Sequence, residues 1–341
     1  MALFKDPDRP EISEISPVAA IPGGEFEIRG KNFARGDRPR VLLGDVLAPI
    51  VIGSNSFVIA RVPEEASQGE VVITSGAGTS AAWHCDIGVQ IATDVHPVSN
   101  PAVDRAGNIY TTLSGPRGQK TQVSVFKLDT SHNLRPLVTD VMNATGLALD
   151  SEGVLYVSSR YDGIIYQVTP GGNLAVYVEG MGVATGIAFD PDENLYVGDR
   201  SGTIFKISRQ RQIYVFAALE PSIAAYHLAF GADGNLYVTG PTTSSFDCVY
   251  RITPQGEVSP FFRGLGRPQG IAAGADGNLY IAASLAGRKG VVKIDPSANA
   301  SLFLSGPNIV GLALAPPGNI IVATNSGLFR VNAGVRGLLP R

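Results

Sequence analysis

The chain is poor in nearly every residue that usually announces chemistry. It has two cysteines, Cys85 and Cys248, in 341 residues, with neither a disulfide framework nor the spacing of a zinc site. Both thiols are expected to be buried and free. There are four histidines, three methionines and one tryptophan. Charged residues make up 17% of the chain, and the net charge is −3. That balance gives no bulk attraction to nucleic acid or to an anionic membrane. No apolar run approaches the roughly 18 residues of a membrane span, so no membrane insertion is expected. The N-terminus, MALFKDPDRP, lacks the apolar core of a signal peptide. A complete chain is therefore expected in the cytoplasm, and a chain trimmed from a precursor would be exported or at the cell surface. No GxSxG, HExxH or P-loop sequence is present.

What is abundant is glycine, 40 residues, and one short pattern that occurs six times. The copies read PAVDRAGNIYTT, GLALDSEGVLYVSS, GIAFDPDENLYVGD, HLAFGADGNLYVTG, GIAAGADGNLYIAA and GLALAPPGNIIVAT. Their anchors are Tyr110, Tyr156, Tyr196, Tyr237, Tyr280 and Ile321, at intervals of 46, 40, 41, 43 and 41 residues. A strand-like unit at this period predicts a six-bladed β-propeller. Gly-Asn stands between the first two strands of a unit in four copies, at 107–108, 234–235, 277–278 and 318–319. Such hairpin turns need residues that tolerate positive φ. The second unit predicts strands over Gly146–Asp150, Val154–Ser158, Ile164–Thr169 and Leu174–Glu179. The sixth unit is short after Val331, and residues 87–94 are expected to supply its outer strand and close the ring. Val335–Pro340 competes for that place.

Residues 10–90 carry no copy of the repeat. They hold short apolar and β-branched runs, Glu25–Arg29, Val41–Leu43, Phe57–Ala60 and Val71–Ile73, punctuated by turn residues. This predicts a small β-sandwich. The expected fold class is thus all-β, with an N-terminal Ig-like β-sandwich over 10–90 and a six-bladed β-propeller over 91–341. Ile15-Ser16-Pro17, Gly23-Gly24, Ile28-Arg29-Gly30, Asn32-Phe33 and Val62-Pro63 resemble the IPT/TIG immunoglobulin-like family. That resemblance implies a spacer or binding module and brings no catalytic residues. The Leu-Tyr-Val repeats resemble NHL and gluconolactonase-like propellers over about 250 residues.

In a four-stranded blade the loop entering the first strand and the loop between strands two and three open on one face, here called the mouth. The entering positions are Asn100, Thr145, Thr185, His227, Gln269 and Val310. The lactonase resemblance implies a divalent metal at the mouth, held by a Glu, an Asn and an Asp, two of them just before a glycine. Here Thr145, Thr185, Gln269 and Val310 precede the matching glycines, and none is a carboxylate. Hard cations want several oxygen ligands, carboxylates among them. A metal-dependent lactonase is therefore disfavoured, and no cofactor is predicted.

The remaining candidates are ligand-binding ones. His96 and His227 are placed near the mouth as general bases or as hydrogen-bonded channel residues. Asp199, with Arg200 beside it, is the best acidic candidate, or else an ion-paired or turn-capping residue. Arg117, Lys120, Arg160, Arg200, Arg267, Arg288 and Lys289 make the mouth basic, and Tyr161, Tyr226 and Phe246 add aromatic surface. Arginine forks suit carboxylates and phosphates. The function expected is non-enzymatic binding of a small anionic ligand, a glycan or a protein. The alternative is a lactonase-like or lyase-like enzyme with a rearranged site around His96, Asn100, Asp199 and His227, the one case in which a divalent metal is expected. Asn143 and Asn299 head glycosylation sequons, meaningful only in a secretory pathway. The N-terminal module is expected to attach from the face opposite the mouth.

Overall fold

The computed structural model describes residues 8–35, 37–67, 69–76, 78–116, 118–243 and 247–338. The named elements among them are all strands. The six repeats become six four-stranded blades. The second blade has strands Ala144–Leu149, Leu155–Ser159, Ile165–Val168 and Leu174–Val178, within two residues of the sequence expectation. Successive first strands pack on one another, and Ala102–Val103 of blade 1 packs on Ile309–Ala315 of blade 6, so the ring is closed.

Closure is made by a strand from before the repeats. Val89–Thr93 pairs antiparallel with Gly327–Asn332 and forms the outer strand of blade 6, as expected for residues 87–94. The competing C-terminal stretch, in its described part, instead reaches blade 5, where Gly337 bridges Gly274. Blades 4 and 5 are further joined by Leu265 and Gly266 against Leu285 and Ser284.

The repeat has a physical reason. In four of the first hairpin turns an aspartate accepts a hydrogen bond from the repeat tyrosine. The distances are 3.0 Å for Tyr110 to Asp104, 3.2 Å for Tyr196 to Asp190, 2.9 Å for Tyr237 to Asp233 and 2.8 Å for Tyr280 to Asp276. The carboxylate comes from the first turn position in blades 1 and 3 and from the third in blades 4 and 5. In the latter pair glycine holds the first position, and a Cβ on Gly274 would lie 2.2 Å from Asp276 Oδ1. One carboxylate site is thus filled from either of two places in the chain.

The tyrosine rings then tie blade to blade. Tyr156 and Tyr196 make edge-on contacts with Phe189 and Phe230 of the following blade, at 4.9 and 5.0 Å between centroids. Tyr196, Tyr237 and Tyr280 also meet Phe216, Phe261 and Phe303 of their own outer strands. Such pairs add to the stabilisation from burial alone.

Residues 11–84 form two further sheets around one core. One runs Glu11–Ser16, Glu25–Lys31, Phe57–Arg61 and Ile50–Gly53. The other runs Trp83–His84, Glu70–Ser75, Arg40–Leu43 and Val46–Ala48, with Gly78–Thr79 on its edge. Phe26, Ile28, Val41, Leu43, Val58, Ala60, Val71 and Ile73 alternate inward and fill the core.

This unit does not attach opposite the mouth. Ala19–Ala20 pairs in parallel with the mouth-side end of Ala300–Ser305, the outer strand of blade 5, and Asp86–Ile87 pairs on Ala19–Ala20 in turn. The linker into residue 89 is therefore not the sole connection. This two-residue strand, too short to show in the sequence, is another, and beside it Ala19 and Ile21 enter the core shared by blades 5 and 6.

Candidate functional site

The first strands approach so closely at the mouth that side chains are excluded between them. A Cβ on Gly146 would meet the Thr185 carbonyl at 2.3 Å, one on Gly186 the Tyr226 carbonyl at 2.4 Å, and one on Gly311 the Ser99 carbonyl at 2.4 Å. The glycines after the entering positions are therefore packing residues. Thr145, Thr185, Ser158 and Ser159 are buried in this wall. Ser158 Oγ accepts from Gly146 N–H at 2.8 Å and donates to the Thr185 carbonyl, while Thr185 Oγ1 donates to the Gly198 carbonyl at 2.8 Å.

The segment that enters blade 1 departs from the repeat, reading His-Pro-Val-Ser-Asn-Pro over 96–101, and it reaches three other blades. His96 is exposed, and its Nδ1 lies 2.6 Å from the Asn325 carbonyl of blade 6. Asn100 donates to the Ile271 carbonyl of blade 5 at 2.8 Å and accepts from Leu312 N–H of blade 6 at 3.1 Å. Ser99 Oγ lies 3.4 Å from His227 Nδ1 in blade 4. The segment thus carries His96 and Asn100 and touches His227 through Ser99. His227 is buried, and burial lowers its pKa to about 4, so the ring is neutral near pH 7. Gln269 is half-buried. Its backbone carbonyl accepts from the Thr239 hydroxyl, and its N–H donates to the Ala282 carbonyl at 2.8 Å.

The other candidates lie in separate loops. Asp199 is buried at the end of the second strand of blade 3. It accepts from Val183 N–H at 2.9 Å and from the backbone and hydroxyl of Ser201, which makes it the organiser of its own loop. Arg160 donates to the Gly115 carbonyl at 3.0 Å and to Ser114 Oγ at 3.3 Å, and Arg200 to the Ile223 carbonyl at 2.9 Å. Both guanidinium groups therefore hold mouth loops of adjacent blades together. Tyr226 is fully buried and donates to the Glu220 carbonyl; burial raises its pKa. Arg288 faces the N-terminal sheets, with Glu27 at 3.3 Å and the Ser16 carbonyl at 2.8 Å. Lys120 is paired with Asp140 at 2.7 Å. Arg267 and Tyr161 are exposed on mouth-side loops. Arg117 and Phe246 lie outside the described residues.

Two residues have roles here that the sequence does not signal. Ser99, which meets His227, has no repeat counterpart to mark it. Asn143 stands out in the sequence only as the head of a sequon. It is buried, donates to the Gly115 and Pro116 carbonyls at 3.0 and 3.1 Å and accepts from Gly118 N–H at 2.8 Å. Among the described residues no three His, Cys, Asp or Glu side chains are grouped to hold a metal ion, and no helix is long and apolar enough to cross a membrane.

No protein-family model matches the chain, and no curated protein matches it. Solved structures do. A gluconolactonase from Xanthomonas campestris superposes with a TM-score of 0.59 at 13% identity, over 73% of this chain and 90% of that one. An auxiliary nutrient-binding protein from Bacteroides ovatus gives 0.56 at 12% identity, over 97% and 99%. A catalytically inactive virginiamycin B lyase from Staphylococcus aureus gives 0.52 at 13%, over 97% of each. At these identities the likeness is one of fold: an all-β, propeller-like chain.

Proposed function

We propose that the protein is a non-enzymatic binding protein. In this reading, residues 10–90 are an Ig-like module of the IPT/TIG kind and residues 91–341 an NHL-like six-bladed propeller that takes its ligand on the mouth-side loops. The observation that carries it is where the polar side chains go. Asn100, Asp199, Arg160 and Arg200 are all engaged in bonds between loops and blades, so the centre of the mouth is committed to structure. The groups exposed on the mouth-side loops include the Tyr161 ring and the Ile223 side chain, each 51% exposed, and the Arg267 guanidinium, beside His96 and Lys120. An aromatic face and a cation on the same side of the ring suit an acidic glycan, among the small anionic, glycan and protein ligands considered. That one solved protein of similar fold is called nutrient-binding supports the same reading.

The test is an array of neutral and acidic oligosaccharides probed with the full chain, beside an assay of aldonolactone opening with added divalent metal. Acidic glycans should bind, and Tyr161→Ala with Arg267→Ala should weaken binding about tenfold or more. Lactone turnover would overturn the non-enzymatic reading. Unchanged affinity in the double variant would overturn the placement on these loops.

A further inference from the structure

A built cleft lies where the N-terminal sheets meet the mouth-side loop of blade 5. It encloses about 490 Å³, within the range of small-molecule sites. One wall carries Glu25 and Arg61; the other carries Arg288, Lys289, Ser305 and Gly306. Three of these six residues are cationic and one is anionic.

The charges are only partly matched. Arg61 places Nε and Nη2 on one oxygen of Glu25, at 3.3 and 2.9 Å. Arg288 directs Nη1 to Glu27, at 3.3 Å, and Nη2 to the Ser16 carbonyl, at 2.8 Å. Each guanidinium has five N–H donors, so both keep donors in hand. Lys289 has no acceptor or ion pair among the described residues, which leaves one full positive charge over. Ser305 is 5% exposed, and its Oγ accepts from Glu25 N–H at 2.8 Å. Its own proton has no acceptor among the described residues.

The walls are fixed by backbone. Ile21 N–H donates to the Ser305 carbonyl at 3.0 Å, and Ala20 pairs with Ser305 in the sheet. A Cβ on Gly24 would sit 2.4 Å from that same carbonyl, so the two units meet where only glycine fits. A cleft held open this way loses little entropy when a ligand binds.

We propose that this cleft is a binding site for a small organic oxyanion, a carboxylate or phosphate group on a hydroxylated carbon chain. Lys289 supplies the unmatched charge, the two arginine forks supply directed donors, and Ser305 supplies a buried hydroxyl donor. The site uses the blade 5 mouth-side loop where it faces the N-terminal sheets, involves neither Tyr161 nor Arg267, and does not depend on the reading given to those two residues.

Calorimetric titration of the full chain at low salt tests this, with gluconate and inorganic phosphate as separate probes. One saturable site is expected for at least one probe: gluconate alone marks a sugar acid, phosphate alone a phosphate ester, both the shared oxyanion. Lys289→Glu, at an exposed position, should weaken binding about tenfold or more, and Arg267→Ala at the mouth should leave it unchanged. Absence of binding by both probes at millimolar concentration would overturn the proposal. So would Lys289→Glu binding as tightly as the parent, or Arg267→Ala abolishing the signal.

Discussion

Tyr196 and Asp190 offer the sharpest test of what holds a blade to its turn. The Asp190 side chain, about 10% exposed, accepts four hydrogen bonds: from Asp192 N–H at 3.0 Å, Asn194 N–H at 2.8 Å, the Asn194 amide at 2.8 Å and the Tyr196 hydroxyl at 3.2 Å. Tyr196→Phe removes only the last, because phenylalanine keeps the edge-on contacts with Phe216 and Phe230. A hydrogen bond to a charged acceptor is worth about 1.5 kcal/mol, so that is the expected loss. Asp190→Ala strands four donors; two are backbone groups of a surface turn that water can reach, and the net cost should be about 3 kcal/mol. The double variant should cost no more than Asp190→Ala alone, which corresponds to a coupling of about 1.5 kcal/mol.

The assay is urea unfolding followed by far-ultraviolet circular dichroism on the four proteins of the cycle. A second cycle pairs Tyr196→Phe with Asp276→Ala, two blades away, and should be additive within about 0.5 kcal/mol. If the Asp190 cycle is equally additive, the turn carboxylate does not hold the tyrosine, and the recurrence of this pair has some other cause.

Two further outcomes concern the mouth. The folded-state pKa of His227 is depressed to about 4, while the unfolded ring titrates near 6.5. Between those values the unfolded chain binds a proton that the folded chain does not, so stability falls as pH drops through that window, by about 3 kcal/mol in all. His227→Gln should flatten this part of the pH profile of the urea midpoint; an unchanged slope would show that the ring is not the group responsible. Gly186→Ala drives a methyl group onto the Tyr226 carbonyl and within 3.0 Å of His227 Cα, so it should destabilise by about 3 kcal/mol or more in thermal unfolding. A neutral result would mean that the first strands of blades 3 and 4 can separate without cost.

How much is legible in the sequence depends on what repeats and what does not. Hairpin turns and inward-facing alternation are local rules applied six times, and the repeat tyrosine occurs in five of the six units, so a single chain displays them as a period. Residues 87–94 can be assigned to blade 6 because they resemble the outer strands of other units. The mouth is the opposite case. The repeat frame places Asn100 there, but its partners, Ile271 and Leu312, are 171 and 212 residues away. Arg160 and Arg200 register in the sequence only as charge. Apart from the Ser114 hydroxyl that Arg160 meets, their acceptors are backbone carbonyls, and every residue has a carbonyl, so no sequence pattern marks the acceptor.

The N-terminal sheets show the same limit and give it a consequence. The chain leaves them at His84, adds Asp86–Ile87 beside Ala19–Ala20 on blade 5, and two residues later becomes the outer strand of blade 6. Ala19 and Ile21 sit in one core with Leu304 of blade 5 and Val331 of blade 6. The unit therefore spans the junction beside the strand that closes the ring. In a propeller closed this way the closing strand and its partner come from distant parts of the chain, so their pairing carries the largest loop-closure cost of any strand pair in the ring. Pairing of Ala20 with Ser305 brings Val89–Thr93 near its partner, so part of the closure cost is met when this anchor forms.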